Sequence, residues 1–168
     1  MPRILFLTLL AGLIGLAQTQ SIAQSDSPES QGEQSENEVL APIHQLFDGM
    51  RAGDSAAVRA AFDPIARLVR TSNRDGLPSH HIMPVDDFVN AVGAPHDRVW
   101  DERIWDVNTE VRDNLASVWM KFAFFTGDEF SHCGVNSVEL VNTSDGWKIM
   151  HLADTAQREG CEMPPEAD

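Results

Sequence analysis

The sequence predicts an α+β domain in which three helices from the N-terminal half pack on a curved antiparallel sheet. Three observations lead there. From Leu115 to Cys161 the chain reads as three strand-like segments parted by the turns Thr126-Gly127-Asp128 and Thr143-Ser144-Asp145-Gly146, and turns that short force antiparallel neighbours. Upstream, Val39, Ile43, Leu46, Phe47 and Met50 recur at helical spacing, so an apolar helix face awaits that sheet. With 168 residues the chain can bury one sizeable core.

Taken in order, residues 1–23 read as a secretory signal peptide. Arg3 is the only charge, Ile4 to Ala17 is apolar but short for a bilayer, and Ser21-Ile22-Ala23 offers a cleavage site. Cleavage after Ala17 is a rival, and an uncleaved anchor is the alternative. The expected location is therefore periplasmic or extracellular, with no membrane attachment once the signal is removed. Residues 24–38, rich in Ser, Gln and Glu, read as a disordered acidic linker. The folded domain is expected over 39–163, with 164–168 as a tail. A formal net charge of -14 argues against nucleic acid and anionic membrane as partners.

The first helix is expected to begin near Asn37 or Glu38. Ser35 and Glu38 are spaced as a capping box, and Pro42 is tolerated only in a first turn. Gly53 stops it and Asp54 caps the second helix, which runs over Ser55 to Phe62 and ends at Asp63-Pro64. Strand segments at Ala66–Thr71 and Leu77–Met83 flank the turn Asn73-Arg74-Asp75-Gly76. Pro84 opens the third helix, with Asp86 and Asp87 in its first turn and Val85, Phe88, Val89 and Val92 on its apolar face. Strands then follow at Val99–Val111, Leu115–Phe125, Glu129–Val141 and Trp147–Ala153. A curved sheet covered by helices leaves a cavity between the layers, the default place for a ligand.

Strand alternation proposes which residues face it. His132, Gly134, Asn136, Val138 and Leu140 share one side of their strand, and Val138 with Leu140 marks that side as inner. Trp147, Ile149, His151 and Ala153 share a side of the last strand, followed by Asp154. His151 with Asp154, or His132, would serve as general base; otherwise these are a hydrogen-bonded structural His and a loop cap. Trp119, Phe122, Phe47 and Phe88 line a pocket for a flat molecule or simply fill the core. Trp100 and Trp105 are expected over the mouth or on the outer sheet face. In an oxidising compartment Cys133 and Cys161 are a disulfide candidate before they are two thiols. His80, His81, His96 and Asp97 match no metal spacing, and no phosphate loop or nucleophile elbow is present. Neither metal nor cofactor is expected.

Several stretches carry a family resemblance. They are Leu46-Phe47-Asp48-Gly49-Met50-Arg51-Ala52-Gly53-Asp54, Glu102-Arg103-Ile104, Leu115-Ala116-Ser117-Val118-Trp119, Ser131-His132-Cys133-Gly134-Val135, Gly146-Trp147-Lys148-Ile149, and Ala153-Asp154-Thr155 with Cys161. With the order of elements, the chain resembles the NTF2-like superfamily of cone-shaped folds over about Val39 to Met163. Within it the chain is most similar to the secreted putative lumazine-binding proteins, near the SnoaL-like group. The resemblance implies the cone, an inner cavity and a homodimer formed through the outer sheet face. It does not fix a function, because such folds host isomerases, cyclases, dehydratases and transport adaptors. Tyr-based steroid-isomerase sites do not carry over, since this chain has no Tyr. Three functions are therefore expected to compete: a binder of a small apolar or aromatic molecule contacted by His132, Asn136 and His151; an isomerase or dehydratase using a His or Asp base; and a structural module whose cavity is filled.

Overall fold

The computed structural model describes residues 28–74 and 76–165. The expected signal peptide, residues 24–27 of the linker and the end of the tail lie outside the described residues.

Helix α1 spans Pro28–Ala52, so it begins about ten residues before the expected start. The stretch read as disordered linker is helical from Pro28 onward. Pro28 suits a first helical position, and the Glu and Gln that suggested a solvated spacer are also good helix formers. Pro42 consequently lies inside the helix, where it removes one backbone donor. Burial offsets that loss: Val39, Ile43, Leu46, Phe47 and Met50 are all 6% exposed or less, and a packed apolar face stabilises a helix more than propensity does.

Helix α2, Ser55–Ala61, follows at once. Gly53 takes the left-handed φ of 67° that ends α1, and the Asp54 carboxylate accepts from the Ala56 and Ala57 N–H groups at 3.0 Å. The two helices touch at Gly49, where a Cβ would lie 2.8 Å from Val58 Cγ2. Lys148 caps the far end of α2 by donating to the Ala60 carbonyl at 2.7 Å.

Strands β1 (Phe62–Arg74) and β2 (Leu77–Met83) form a hairpin, helix α3 (Val85–Gly93) crosses back, and β3 (Trp100–Arg112), β4 (Leu115–Thr126), β5 (Glu129–Thr143) and β6 (Gly146–Thr155) complete the chain. All six strands form one sheet in the order β2-β1-β6-β5-β4-β3. Neighbours are antiparallel except β1 and β6, which run parallel. The expected antiparallel sheet is thus a mixed one. A turn fixes the direction of a hairpin partner only, and β1 meets β6 through a connection that spans most of the fold.

The core lies between sheet and helices, where Val58, Val92, Val118, Val138, Leu140 and Ile149 are fully buried. Asp101 ties the end of α1 to the sheet, accepting from Arg51 at 2.9 Å and from Arg103 at 2.7 Å. Irregularities in pairing bend the strands between Phe62 and Arg67 in β1, between Trp105 and Asn108 in β3, beside Ser131 in β5 and at Met150 in β6. In β3 the bend includes Asp106 at a φ of 51°.

Beyond β6 the chain crosses the outer face. Gln157 and Cys133 exchange backbone hydrogen bonds of 2.9 Å, and Cys133 is disulfide-bonded to Cys161 with Cα atoms 5.9 Å apart. Ala123, Phe125 and Cys133 are buried apart from the main core. The Arg103 guanidinium sits 4.3 Å from the Phe125 ring centre.

Candidate functional site

The concave face of the sheet and the helices above it enclose a cavity of about 390 Å³, within the range of about 300–1,000 Å³ usual for small-molecule sites. Its walls are apolar. Leu46, Phe47 and Met50 come from α1, Phe88 and Ala91 from α3, and Trp100, Phe124 and Leu152 from the sheet. Its floor is polar, built from Arg70, Glu102, His132, Asn136 and Asp154.

Register explains how those groups meet. Arg70 on β1 lies beside Asp154 on β6, which lies beside Asn136 on β5, so three polar side chains stand in a row across three strands. Arg70 Nε donates to both Asp154 oxygens, at 2.8 and 3.1 Å, and Nη2 donates to one of them. Asn136 Nδ2 reaches over β4 to donate to Glu102 Oε1 at 2.8 Å. Glu102, Asn136 and Asp154 are 9%, 1% and 9% exposed.

Burying a carboxylate is costly unless a charge or several donors compensate. Asp154 has Arg70. Glu102 has only the Asn136 amide as a hydrogen-bond partner among the described residues, and burial pushes its carboxyl up to about 7. The Asn136 hydrogen bond opposes the shift, nearby Asp154 adds to it and Arg70 opposes it. A carboxyl poised near neutral pH can accept or release a proton under ordinary conditions. His132 is moved the other way. Burial, with the Arg70 charge second, pushes its imidazole down to about 4, so the ring is neutral at pH 7. It lies 5.1 Å from the Phe124 ring and 5.7 Å from Phe122. Ser131 Oγ is 3.1 Å from Nδ1, and Nε2 is buried with no hydrogen-bond partner among the described residues. His132 therefore puts a neutral ring rather than a charge into the cavity lining.

The structure brings Phe47, Phe88, His132, Asn136 and Asp154 to the cavity, and corrects three other expectations. His151 faces away. The extra residue at Met150 shifts the alternation of β6, so Leu152 and Asp154 face inward while His151 lies across from Glu139 and Arg67 on the outer side. The expected His151–Asp154 pair is therefore not formed. Trp119 is also on the outer face and is 53% exposed. Phe122 is inward and 1% exposed, but it packs against Gly134 and His132 rather than lining the cavity. Asp154, which could have been a loop cap, is buried on the floor. Trp100, expected over the mouth or outside, is part of the wall.

Sequence reasoning missed Arg70 and Glu102. A signal was present for both. Arg70 alternates in phase with buried Leu68, and Glu102 stands between Trp100 and Ile104 in the same phase. A charge repeating on an apolar strand face marks a polar group turned inward.

Comparison with known proteins bears on the fold and the family. No curated protein matches this chain in sequence. An NTF2-like protein with a cystatin-like fold from Novosphingobium aromaticivorans superposes with a TM-score of 0.61 at 10% identity, covering 81% of this chain and 93% of its own. An NTF2-like protein of unknown function from Shewanella baltica gives 0.59 at 11% identity, covering 76% and 97%. A structure described as a putative scytalone dehydratase from Novosphingobium aromaticivorans gives 0.59 at 8% identity, covering 77% and 89%. At such identities these likenesses concern the fold alone. The family model described as "Putative lumazine-binding" matches residues 34–152. The cone of helices on a bent sheet is an NTF2-like fold, and by that match the chain belongs to the putative lumazine-binding family.

Proposed function

We propose that this domain binds a small, mainly apolar or aromatic molecule in the cavity between sheet and helices, without turning it over. The observation that carries this reading is the pairing of an apolar wall with a polar floor whose groups already hold one another. Arg70 holds Asp154 and Asn136 holds Glu102, so the floor can orient a polar substituent while the wall buries the rest. The family description supports a small-molecule ligand. The Cys133–Cys161 disulfide supports export to an oxidising compartment as part of the same reading.

The test uses N-phenyl-1-naphthylamine, a neutral aromatic probe that brightens on leaving water. The expected result is saturable binding at one probe per chain, lost in the Ala91→Phe variant, which fills the cavity from α3. Equal binding by both proteins would place the probe elsewhere and overturn the reading.

A second reading is supported by Glu102. A buried carboxyl held near pH 7 in a ligand cavity is suited to proton transfer, as isomerisation and dehydration require. On this reading a molecule retained by the protein would be converted to a product of altered mass or retention time. Glu102→Gln would bind that molecule and leave it unchanged. Identical behaviour of both proteins would remove the enzyme reading and leave the binding one standing.

A further inference from the structure

We propose that the open groove outside the cavity is an anion subsite, so that the ligand is an amphiphile whose apolar body fills the cavity and whose carboxylate, sulfonate or phosphate end is held by Arg70 and Arg158. This rests on the cavity reading above and adds the ligand's charge.

The groove, of about 970 Å³, is formed by the end of β1, by Pro78–His80 of β2 and by the chain from Thr155 to Glu159. It is not a separate site. Arg70 and His132 line both the groove and the cavity, so the two spaces meet at those side chains. Arg70 is divided between them. Its Nε and Nη2 are committed to Asp154, its side chain is 47% exposed, and Nη1 has no hydrogen-bond partner among the described residues. A guanidinium carries five N–H donors in a fixed fork, so one prong remains for a ligand oxygen.

Arg158 is exposed and makes no ion pair among the described residues. Its backbone is nonetheless held, because Gln157 pairs with Cys133 and Cys161 is disulfide-bonded to the same residue. Its charge also reaches the cavity side, adding to the downward shift of His132. His80 and the Ser72 and Ser79 hydroxyls, 3.0 Å apart, add to the polar lining, and Glu159 is its one carboxylate among the described residues. Two arginines lining one groove stand out on a chain of net charge -14.

The test compares two probes with the same aromatic body in the disulfide-bonded protein. 8-Anilinonaphthalene-1-sulfonate carries an anion, and N-phenyl-1-naphthylamine does not. Each is expected to displace the other, and Ala91→Phe is expected to lose both. Arg158→Gln should weaken the sulfonate roughly two- to fivefold, as for an exposed ion pair, and leave the neutral probe unchanged. Arg158→Lys should restore most of the loss. Added salt should weaken only the sulfonate. If Arg158→Gln affects neither probe, or both alike, the anion subsite is overturned while the cavity reading stands. If neither probe binds the unaltered protein, the cavity reading fails and the subsite fails with it.

Discussion

Glu102 and His132 titrate in opposite directions for the same reason: each avoids charge where water is excluded. The folded-state pKa of Glu102 is about 7 against an ordinary 4.5, so its contribution to stability is complete below about pH 4.5 and is lost as pH rises through 7. Glu102→Gln removes that loss. Its stability relative to the natural protein should grow by about 2–3 kcal/mol between pH 4.5 and 8, read by urea denaturation at several pH values, and a flat difference would contradict the assignment. For His132, with a folded value of about 4 against 6.5, stability is complete above 6.5 and is lost as pH falls towards 4. His132→Phe should therefore gain on the natural protein in acid, the mirror image of the glutamate variant. The ion pair behaves differently. Arg70→Met leaves the Asp154 carboxylate buried without its partner, a loss of about 1–3 kcal/mol. A second change, Asp154→Leu, should recover most of it, since removing both charges removes the mismatch. This pair was open to sequence reasoning at one end only: Asp154 is a candidate base there, whereas Arg70 is not singled out within its short strand.

At the scale of the element, where each strand runs was more legible than which side its residues face. The turns at Asn114, Gly127 and Gly146 delimit β3 to β6 because glycine or asparagine chemistry is local. The Asp54 cap and the Asp86-Asp87 first turn of α3 are local in the same way. Facing is not local. His132 and Asn136 could be placed inward because β5 alternates regularly from Gly134 onward. His151 could not, because one extra residue at Met150 reverses the phase and nothing in Lys148-Ile149-Met150 announces a bulge. The start of α1 escaped for another reason: Glu and Gln suit both a solvated spacer and a helix. Close approach of elements is just as hidden. At Gly134 a Cβ would fall 2.2 Å from the Thr155 carbonyl oxygen and 2.9 Å from the Phe122 ring. Because the first neighbour is backbone, Gly134→Ala should cost about 1–3 kcal/mol through overpacking, measured as a lower urea midpoint at unchanged m-value. Wild-type stability in that variant would mean that β6 does not press on β5 there.

For the molecule as a whole, the chain closes on itself twice. The parallel β1–β6 pairing joins the first strand to the last, which completes the row Arg70, Asp154 and Asn136. The disulfide then pins the segment after β6 over the outer face, and with it Arg158. A loop with a sequence separation of 28 should contribute about 3–4 kcal/mol in the chain-entropy model. The Cys133→Ala, Cys161→Ala double variant should lose about that much in urea denaturation, and loss of nothing would show that the tail is held without it. The pairing of the two cysteines was legible because an expected oxidising compartment leaves a single bridge for two thiols. The parallel contact was not, because it depends on strands separated by most of the domain.

The proposed function stands on a small molecule held in the cavity. Native mass spectrometry of the protein, expressed for export with its disulfide intact and compared with Ala91→Phe made in parallel, tests it most directly. One retained molecule per chain of the natural protein is expected, and none in the variant. The same molecule retained equally by both would place it outside the cavity, and a natural protein that carries none and accepts neither naphthalene probe would rule the binding reading out.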